Sequence, residues 1–118
     1  MTSSWTKQLG TSSNDGGNGV TTDSSDNIYV TGWTGGGLDG NTNSGKYDIF
    51  LIKYDSSGTK QWTKQLGTSS FDKGYDVTTD SSGNIYVTGY TLGDLDGNTS
   101  SGSNDILLVK YNPSGIRQ

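Results

Sequence analysis

Several residue types are missing from this sequence of 118 residues, and their absence excludes whole classes of site. The chain contains no cysteine, histidine, alanine or glutamate. Without cysteine and histidine it cannot form disulfides, the usual zinc sites, a thiol nucleophile or a Ser-His-Asp triad. Because alanine and glutamate are among the strongest helix formers, their absence also argues against a helical protein.

Large apolar residues and long apolar runs are scarce as well. Leucine, isoleucine, valine and phenylalanine together number 21, and such a shortage indicates disorder only when the net charge is also high. The net charge is a modest −4. No apolar run approaches the roughly 20 residues that cross a bilayer, and residues 1–20 contain no signal-peptide core. The eight basic residues are scattered in a chain of pI 4.4, so nucleic acid is not an expected partner.

What the sequence does contain is a repeat. Residues 5–61 align without gaps to residues 62–118, both copies begin WTKQLGTSS, and 40 of the 57 aligned pairs are identical. Internal similarity at a fixed period is the signature of a repeat architecture. We therefore predict two units, 5–61 and 62–118, each equivalent to one structural repeat.

Each unit contains short β-branched and aromatic runs separated by Gly, Asn, Asp and Ser, which is typical of strands joined by tight turns. The predicted strands in the first unit cover residues 20–23, 28–32, 48–54 and 61–66, with equivalents 57 residues later for the first three. The third strand is apolar on both faces, as expected for a strand packed between two neighbouring sheets. The fold predicted is all-β, with two four-stranded antiparallel β-propeller blades per chain.

One stretch makes the comparison with known repeats specific. Residues 76–91, DVTTDSSGNIYVTGYT, together with NDILLVKYNPSG and WTKQLG, resemble the SBBP-type β-propeller repeat of bacterial extracytoplasmic and surface proteins. The resemblance covers both units, and it implies a fold and an extracellular or cell-surface location for the parent protein, but no single reaction. Asp26 stands where the pattern has glycine, so we expect strain in that turn.

Two tryptophans open the repeats, Trp5 and Trp62. Trp62 lies seven residues after the turn residue Asp55. A similar aspartate–glycine–tryptophan spacing occurs in quinoprotein propellers, where the tryptophan docks between blades. A quinone enzyme would need clustered Arg and Glu ligands, and this chain has one Arg and no Glu. We therefore predict an inter-blade packing role for both residues, since an indole buries a large apolar area.

The long loop of the second unit carries the candidate metal ligands Asp94, Asp96, Asn98 and Ser100. Oxygen-bearing side chains at alternate positions resemble the first half of a calcium loop, although the bidentate Glu of an EF-hand is missing. The alternative is that Asp-Gly and Asn simply form tight turns here. Unit one has Gly37 in place of Asp94, so any calcium site should be tighter in unit two.

Two aromatic residues, Trp33 and Tyr90, lie at the mouths of the long loops and are the candidate ligand-binding residues. Either ring could stack on a sugar, as in lectin-type propellers, or merely cover the end of a blade.

Paired aspartates also recur in both units, and recurrence favours a turn-capping role over catalysis. These are Asp15 and Asp72, Asp23 and Asp80, and Asp48 and Asp105.

Burial is expected to concentrate in a few apolar positions, with Leu95 outside the core. These positions are Ile28, Val30, Ile49, Leu51 and Trp62, with their equivalents Ile85, Val87, Ile106, Leu108 and Trp5.

The function predicted is a non-enzymatic propeller module, a structural or binding scaffold with no cofactor. The alternative is a calcium-dependent or lectin-like carbohydrate binder that uses the long loops.

Because two blades cannot close a ring and propellers have four to eight, we predict that copies assemble head to tail. Residues 5–9 of one chain would supply the outer strand of the next, giving a homotrimer of six blades or a homotetramer of eight, with four copies favoured. The positions of the chain ends suggest a designed chain or a fragment of a longer array.

Overall fold

The chain folds into two antiparallel β-sheets, as the all-β prediction requires. A computed structural model describes residues 4–95 and 97–118. The strands are β1 (Asp15–Thr22), β2 (Ile28–Thr34), β3 (Asp48–Tyr54), β4 (Lys60–Leu66), β5 (Asp72–Thr79), β6 (Ile85–Thr91) and β7 (Asp105–Tyr111). A single-turn 3-10 helix, Leu38–Gly40, lies in the first long loop. Within the described part of the chain, no helix is long and apolar enough to cross a membrane.

The first sheet has four strands in the order β1-β2-β3-β4, and the second has three in the order β5-β6-β7. All neighbouring strands are antiparallel. The fourth strand, β4, begins at Lys60 and contains Trp62, so the first sheet takes most of its outer strand from beyond the repeat boundary at 61/62. The second sheet has no equivalent strand among the described residues, and neither sheet closes on itself.

One prediction about strand positions was wrong. The innermost strand β1 begins at Asp15 rather than at residue 20, because a bulge between Gly17 and Gly19 lets the glycine-rich segment continue the pairing with β2. Residues 5–9 have no strand conformation within the single chain, and their predicted role as the outer strand of the next copy stays a prediction. A strand needs a hydrogen-bonded neighbour, and the described residues supply none for this segment.

Glycine is required where β1 and β2 approach most closely. A Cβ at Gly32 would collide with the carbonyl oxygen of Gly16, and a Cβ at Gly89 would collide with that of Lys73. This explains why the hydrophobic runs of β2 and β6 both include a glycine, which lets the backbones pair without displacement.

The main core lies between the two sheets. It combines one face of the first sheet with the facing side of the second, and Trp62 packs against its margin. Its buried residues are Tyr29, Ile49, Leu51, Leu66, Val77, Ile85, Val87, Leu95, Leu107, Val109 and Tyr111. The two repeats therefore pack on each other face to face, as adjacent blades of a propeller do.

Equivalent residues of the two repeats differ sharply in burial. The member of each pair that faces the other sheet is buried, and its mate faces outward. The relative exposures are 2% for Ile49 and 91% for Ile106, 1% for Leu51 and 72% for Leu108, and 5% for Val77 and 65% for Val20.

The expectation of burial was therefore correct for Ile49, Leu51, Ile85 and Val87 but wrong for several of their equivalents. Ile106, Leu108 and Trp5 are exposed because no second sheet covers them in the described chain. Leu95 was expected to lie outside the core, yet it is only 8% exposed and joins the inter-sheet cluster.

The outer face of the first sheet carries a smaller cluster. Leu38, Phe50, Ile52 and Tyr54 are buried there, and Leu9 packs against them from the N-terminal segment. A groove of about 450 Å³ remains open on this face, lined by Trp5, Val20, Ile28, Val30 and their neighbours. The first sheet thus presents an apolar surface that its own chain only partly covers.

Candidate functional site

The turn aspartates act as caps on their own turns. Asp80 accepts hydrogen bonds from Ser82 N, Asn84 N, Asn84 Nδ2 and Tyr86 Oη at 2.9–3.1 Å. The hydrogen bond from the Asn84 side chain makes the largest contribution to the pKa of Asp80. Together with the other donors it outweighs the effect of burial and lowers this pKa to about 2. Asp23 has the equivalent four bonds in the first repeat.

In Asp23, burial opposes ionisation, but the hydrogen bonds headed by that from Tyr29 outweigh it and lower the pKa. Burial and the contact with Asp23 raise the pKa of Tyr29. A carboxylate held charged by fixed donors has the properties of a structural cap rather than a proton carrier.

A second set of aspartates lies at the strand ends near the long loops. Asp72 is fully buried and accepts Thr68 N at 2.7 Å and Thr91 Oγ1 at 2.5 Å. Asp48 is also fully buried; its Oδ2 accepts Ser44 N at 2.7 Å, while its Oδ1 has no hydrogen-bond partner among residues 4–95 and 97–118. Both carboxylates lie beside Gly67, where a Cβ would come within 2.6 Å of Asp48 Cγ and 3.1 Å of Asp72 Oδ2.

The candidate calcium loop is held by hydrogen bonds of its own. Asp94 Oδ1 accepts Ser100 N at 2.7 Å, and the Asn98 side chain donates to Leu95 O at 2.8 Å. Ser100 Oγ donates to Gly102 O at 2.9 Å, and Asp96 lies outside the described residues. Among residues 4–95 and 97–118, no group of three or more acidic side chains is placed to hold a metal ion. The calcium site stays a prediction.

Trp33 belongs to an aromatic cluster at the junction of the two sheets. Its ring centroid lies 4.8 Å from that of Tyr47, which lies 5.2 Å from that of Phe71. Lys73 Nζ is 4.8 Å from the Trp33 centroid, and Lys46 Nζ is 5.3 Å from the Phe71 centroid. These distances suit cation–π contact, so ammonium groups cover part of the ring surface that a sugar would use.

Tyr90, the equivalent of Trp33, has different surroundings. Its ring centroid lies 5.6 Å from that of Tyr75, which is 45% exposed. Burial and the neighbouring Tyr75 raise the pKa of Tyr90. The two predicted ligand-binding residues therefore have different aromatic neighbours, and their ligand-binding role stays a prediction.

Trp62 lies between the sheets. It is part of β4 in the first sheet, its ring centroid is 6.2 Å from that of Tyr29, and a Cβ on Gly115 beyond β7 would approach its ring to 2.9 Å. Trp5 makes the equivalent approach to Gly58 at 2.9 Å, but it is 44% exposed. The inter-blade roles of both tryptophans stay predictions.

β7 is an edge strand of the second sheet in the described part of the chain. On the face of this strand that points away from the first sheet, Ile106 and Leu108 are 91% and 72% exposed. Of the described residues, only the bridge between Tyr111 and Arg117 and the hydrogen bond from Gln118 N to Lys110 O pair with this edge. In the first sheet the equivalent edge, on β3, is fully paired with β4.

Comparison with known families agrees with this architecture. The SBBP β-propeller repeat matches residues 4–39 and 61–96, which together cover more than half of the chain. The chain belongs to this family. The resemblance seen in the sequence is thereby confirmed, with two tandem repeats.

A curated relative is an uncharacterized WD repeat-containing protein of Acanthamoeba polyphaga mimivirus, 49% identical over 41 residues. The matched segment is 35% of this chain and 3% of the viral protein. The chain therefore spans a very small part of the relative's length, and the likeness supports a propeller repeat rather than any activity.

Sequence reasoning missed the residues that complete these sites. Tyr47, Phe71 and Lys73 were not selected, although each differs between the repeats, where the equivalents are Asn104, Asn14 and Gly16. Positions that break the repeat were thus the available signal for the aromatic cluster. Gln65, whose side chain hydrogen-bonds to Leu38, Gly36 and Asp48, was missed for the opposite reason. Its equivalent in the first repeat, Gln8, is identical, so the comparison of repeats did not mark this position.

Proposed function

We propose that this chain is a non-enzymatic β-propeller repeat module that serves as a scaffold by associating head to tail with further copies of itself. The observation that carries the proposal is the burial asymmetry of equivalent residues. Ile106 and Leu108 are exposed where Ile49 and Leu51 are buried, so one end of the pair of sheets lacks a neighbour. Repeat units need stacked neighbours to bury their apolar faces.

The opposite end lacks a neighbour too, which makes the contact heterologous. Val20 is 65% exposed and borders the open groove, whereas Val77 is buried against the first sheet. We propose that the exposed apolar side chains of one end pack into the open groove of the other. Head-to-tail contacts of this kind form a ring when the rotation closes.

Ring closure restricts the number of copies. Each chain supplies two sheets, and propellers contain about four to eight blades. An odd count is excluded, so the even counts of four, six and eight blades remain. Of these we propose three copies with six blades or four copies with eight, and we favour four copies. A scaffold of this type fits the extracellular or cell-surface location suggested by the resemblance to bacterial repeats.

Gel filtration with multi-angle light scattering at micromolar concentration tests the proposal. We expect a discrete species of three or four times the chain mass of 12.5 kDa. Leu108→Lys should shift this species toward the monomer, because a charged edge residue disfavours strand addition. A folded monomer at all concentrations would overturn the scaffold proposal.

The second candidate function is a carbohydrate binder, with or without calcium. The observation in its favour is the cluster of Trp33, Tyr47 and Phe71 on the long-loop side, since aromatic rings can stack on sugars. A glycan array with and without calcium tests it. Binding that depends on calcium and is lost in Asp94→Asn would favour this candidate, whereas the scaffold predicts no glycan binding.

A further inference from the structure

We propose that Gln8 is the residue that specifies how one copy docks on the next, by entering a cavity beside β7 in that copy. This inference rests on the proposed head-to-tail association and names its decisive contact. The partner is a second copy of this chain, and the docking element is the segment 5–9.

Gln65 provides the template for this contact inside the chain. Its Oε1 accepts Leu38 N at 3.0 Å, and its Nε2 donates to Gly36 O at 2.8 Å and to Asp48 Oδ2 at 3.1 Å. The side chain thereby joins β4 to the long loop and to the first residue of β3. Three hydrogen bonds, one of them to a carboxylate, make this the most heavily bonded side chain of β4.

The second repeat has the receiving groups for this glutamine without a glutamine. The equivalents of Gly36, Leu38 and Asp48 are Gly93, Leu95 and Asp105, and they line a cavity of about 270 Å³ bounded by residues 106–109 of β7. Asp105 Oδ2 accepts Ser101 N at 2.7 Å, as Asp48 Oδ2 accepts Ser44 N. The cavity occupies the place that Gln65 fills in the first repeat.

The segment that could fill it is already in the required position on its own chain. Residues 5–9 and 62–66 have the same sequence, WTKQL. A Cβ on Gly58 would meet Trp5 and Lys7 Cε at 2.9 Å, and a Cβ on Gly115 would meet Trp62 and Lys64 Cε at the same distance. The segment therefore lies against the first sheet as β4 lies against the second.

These relations define a register. In the first sheet Ile49 pairs with Leu66, Phe50 with Gln65 and Leu51 with Lys64. Transferred to two copies, Ile106 pairs with Leu9, Leu107 with Gln8 and Leu108 with Lys7 of the second copy. Gln8, which is exposed within its own chain, then reaches the cavity beside Asp105 as Gln65 reaches Asp48.

The first test compares Gln8→Ala with the matched variant Gln65→Ala by sedimentation equilibrium and chemical unfolding. We expect Gln8→Ala to weaken association about tenfold or more while leaving the fold of the single chain unchanged. Gln65→Ala should lower the stability of the chain itself. Association of Gln8→Ala with unchanged affinity would overturn this inference and leave the scaffold proposal standing, whereas a monomeric unmodified chain would overturn the scaffold and the inference with it.

The second test is a register-specific crosslink, which the absence of native cysteine makes simple. Lys7→Cys with Leu108→Cys should form disulfides between copies under mild oxidation, because directly opposed residues bring their Cβ atoms within bonding reach. The control pairs Thr6→Cys with Leu108→Cys, one residue out of register. Preferential crosslinking of the control, or no crosslink between associated copies, would overturn the proposed docking.

Discussion

Asp26 occupies a turn position whose backbone favours glycine. Its φ is 64°, and at the equivalent position of the second repeat Gly83 has a φ of 81°. The left-handed region is unfavourable for residues with a Cβ. Replacing Asp26 with Gly should therefore raise the free energy of unfolding by about 0.5–1 kcal/mol. Chemical denaturation checks this value.

The reverse change provides the matched control for that turn. Gly83→Asp should lower stability by a similar amount, since it creates the arrangement already present at Asp26. Equal stability of the unmodified chain and both variants would contradict the assignment of strain. The strain itself was predictable from sequence, because only one repeat departs from glycine at this position.

Acid stability is the second prediction at the residue scale. The folded-state pKa of Asp80 is about 2, below the ordinary 3.8, because its donors favour the charged form. A lowered pKa contributes stability that is present above pH 4 and lost as the pH falls toward 2. The unfolding midpoint of the unmodified chain should therefore fall as the pH is lowered over this interval. The midpoint of the Asp80→Asn variant should fall less.

The asparagine variant is a fair comparison for Asp80 because the fold already tolerates asparagine at such a turn. Asn112 Oδ1 accepts Ser114 N and Ile116 N in the turn after β7, at 3.0 and 2.9 Å. The unfolding midpoints of the unmodified chain and of the Asp80→Asn variant should differ at pH 7 and converge near pH 2. An identical pH profile for both would show that the Asp80 hydrogen bonds add no pH-dependent stability.

At the scale of elements, the strand pattern was predictable and the burial of each strand was not. The third strand of each repeat is apolar on both faces, and both copies form strands, β3 and β7. Their sequences are nearly equal, so sequence alone assigned them equal burial. Within its sheet β3 pairs with both β2 and β4, whereas β7 has β6 as its strand neighbour in the described part of the chain. The residues Ile49 and Leu51 of β3 also pack on the second sheet, so the difference in burial comes from neighbours rather than from local residues.

Two other features have the same origin. Residues 5–9 and 62–66 are identical, but only the second segment finds a third strand to pair with and becomes β4. The start of β1 was missed because glycine-rich sequence is poor in strand propensity, while the pairing with β2 holds it extended. In both cases the presence or absence of a paired neighbouring strand, rather than intrinsic strand propensity, decides whether the segment is a strand.

Leu51 and Leu108 give a direct test of these different environments. Leu51→Ala removes a side chain that is 1% exposed and should destabilise the chain by about 2–5 kcal/mol. Leu108→Ala removes one that is 72% exposed and should change the stability of the dilute single chain very little. Thermal unfolding at the lowest measurable concentration compares them. Equal losses would contradict the burial asymmetry.

At the scale of the whole molecule, the sequence predicted two blades, and the structure has two sheets that pack face to face. The second sheet has three strands among the described residues, so a fourth, outer strand for it could not be placed from one chain. The open edge of β7 and the groove on the first sheet are the two surfaces that a neighbouring sheet would cover. Stability should therefore depend on association.

This dependence can be measured as a shift in melting temperature with protein concentration. Association that involves only the folded state stabilises it by mass action, and each kcal/mol should raise the melting temperature by about 4 °C for a chain of this size. We expect the midpoint to rise between low and high micromolar protein. Leu108→Lys, with a charge on the open edge, should show a lower and concentration-independent midpoint. A midpoint of the unmodified chain that is the same at all concentrations would mean that the two exposed ends do not meet.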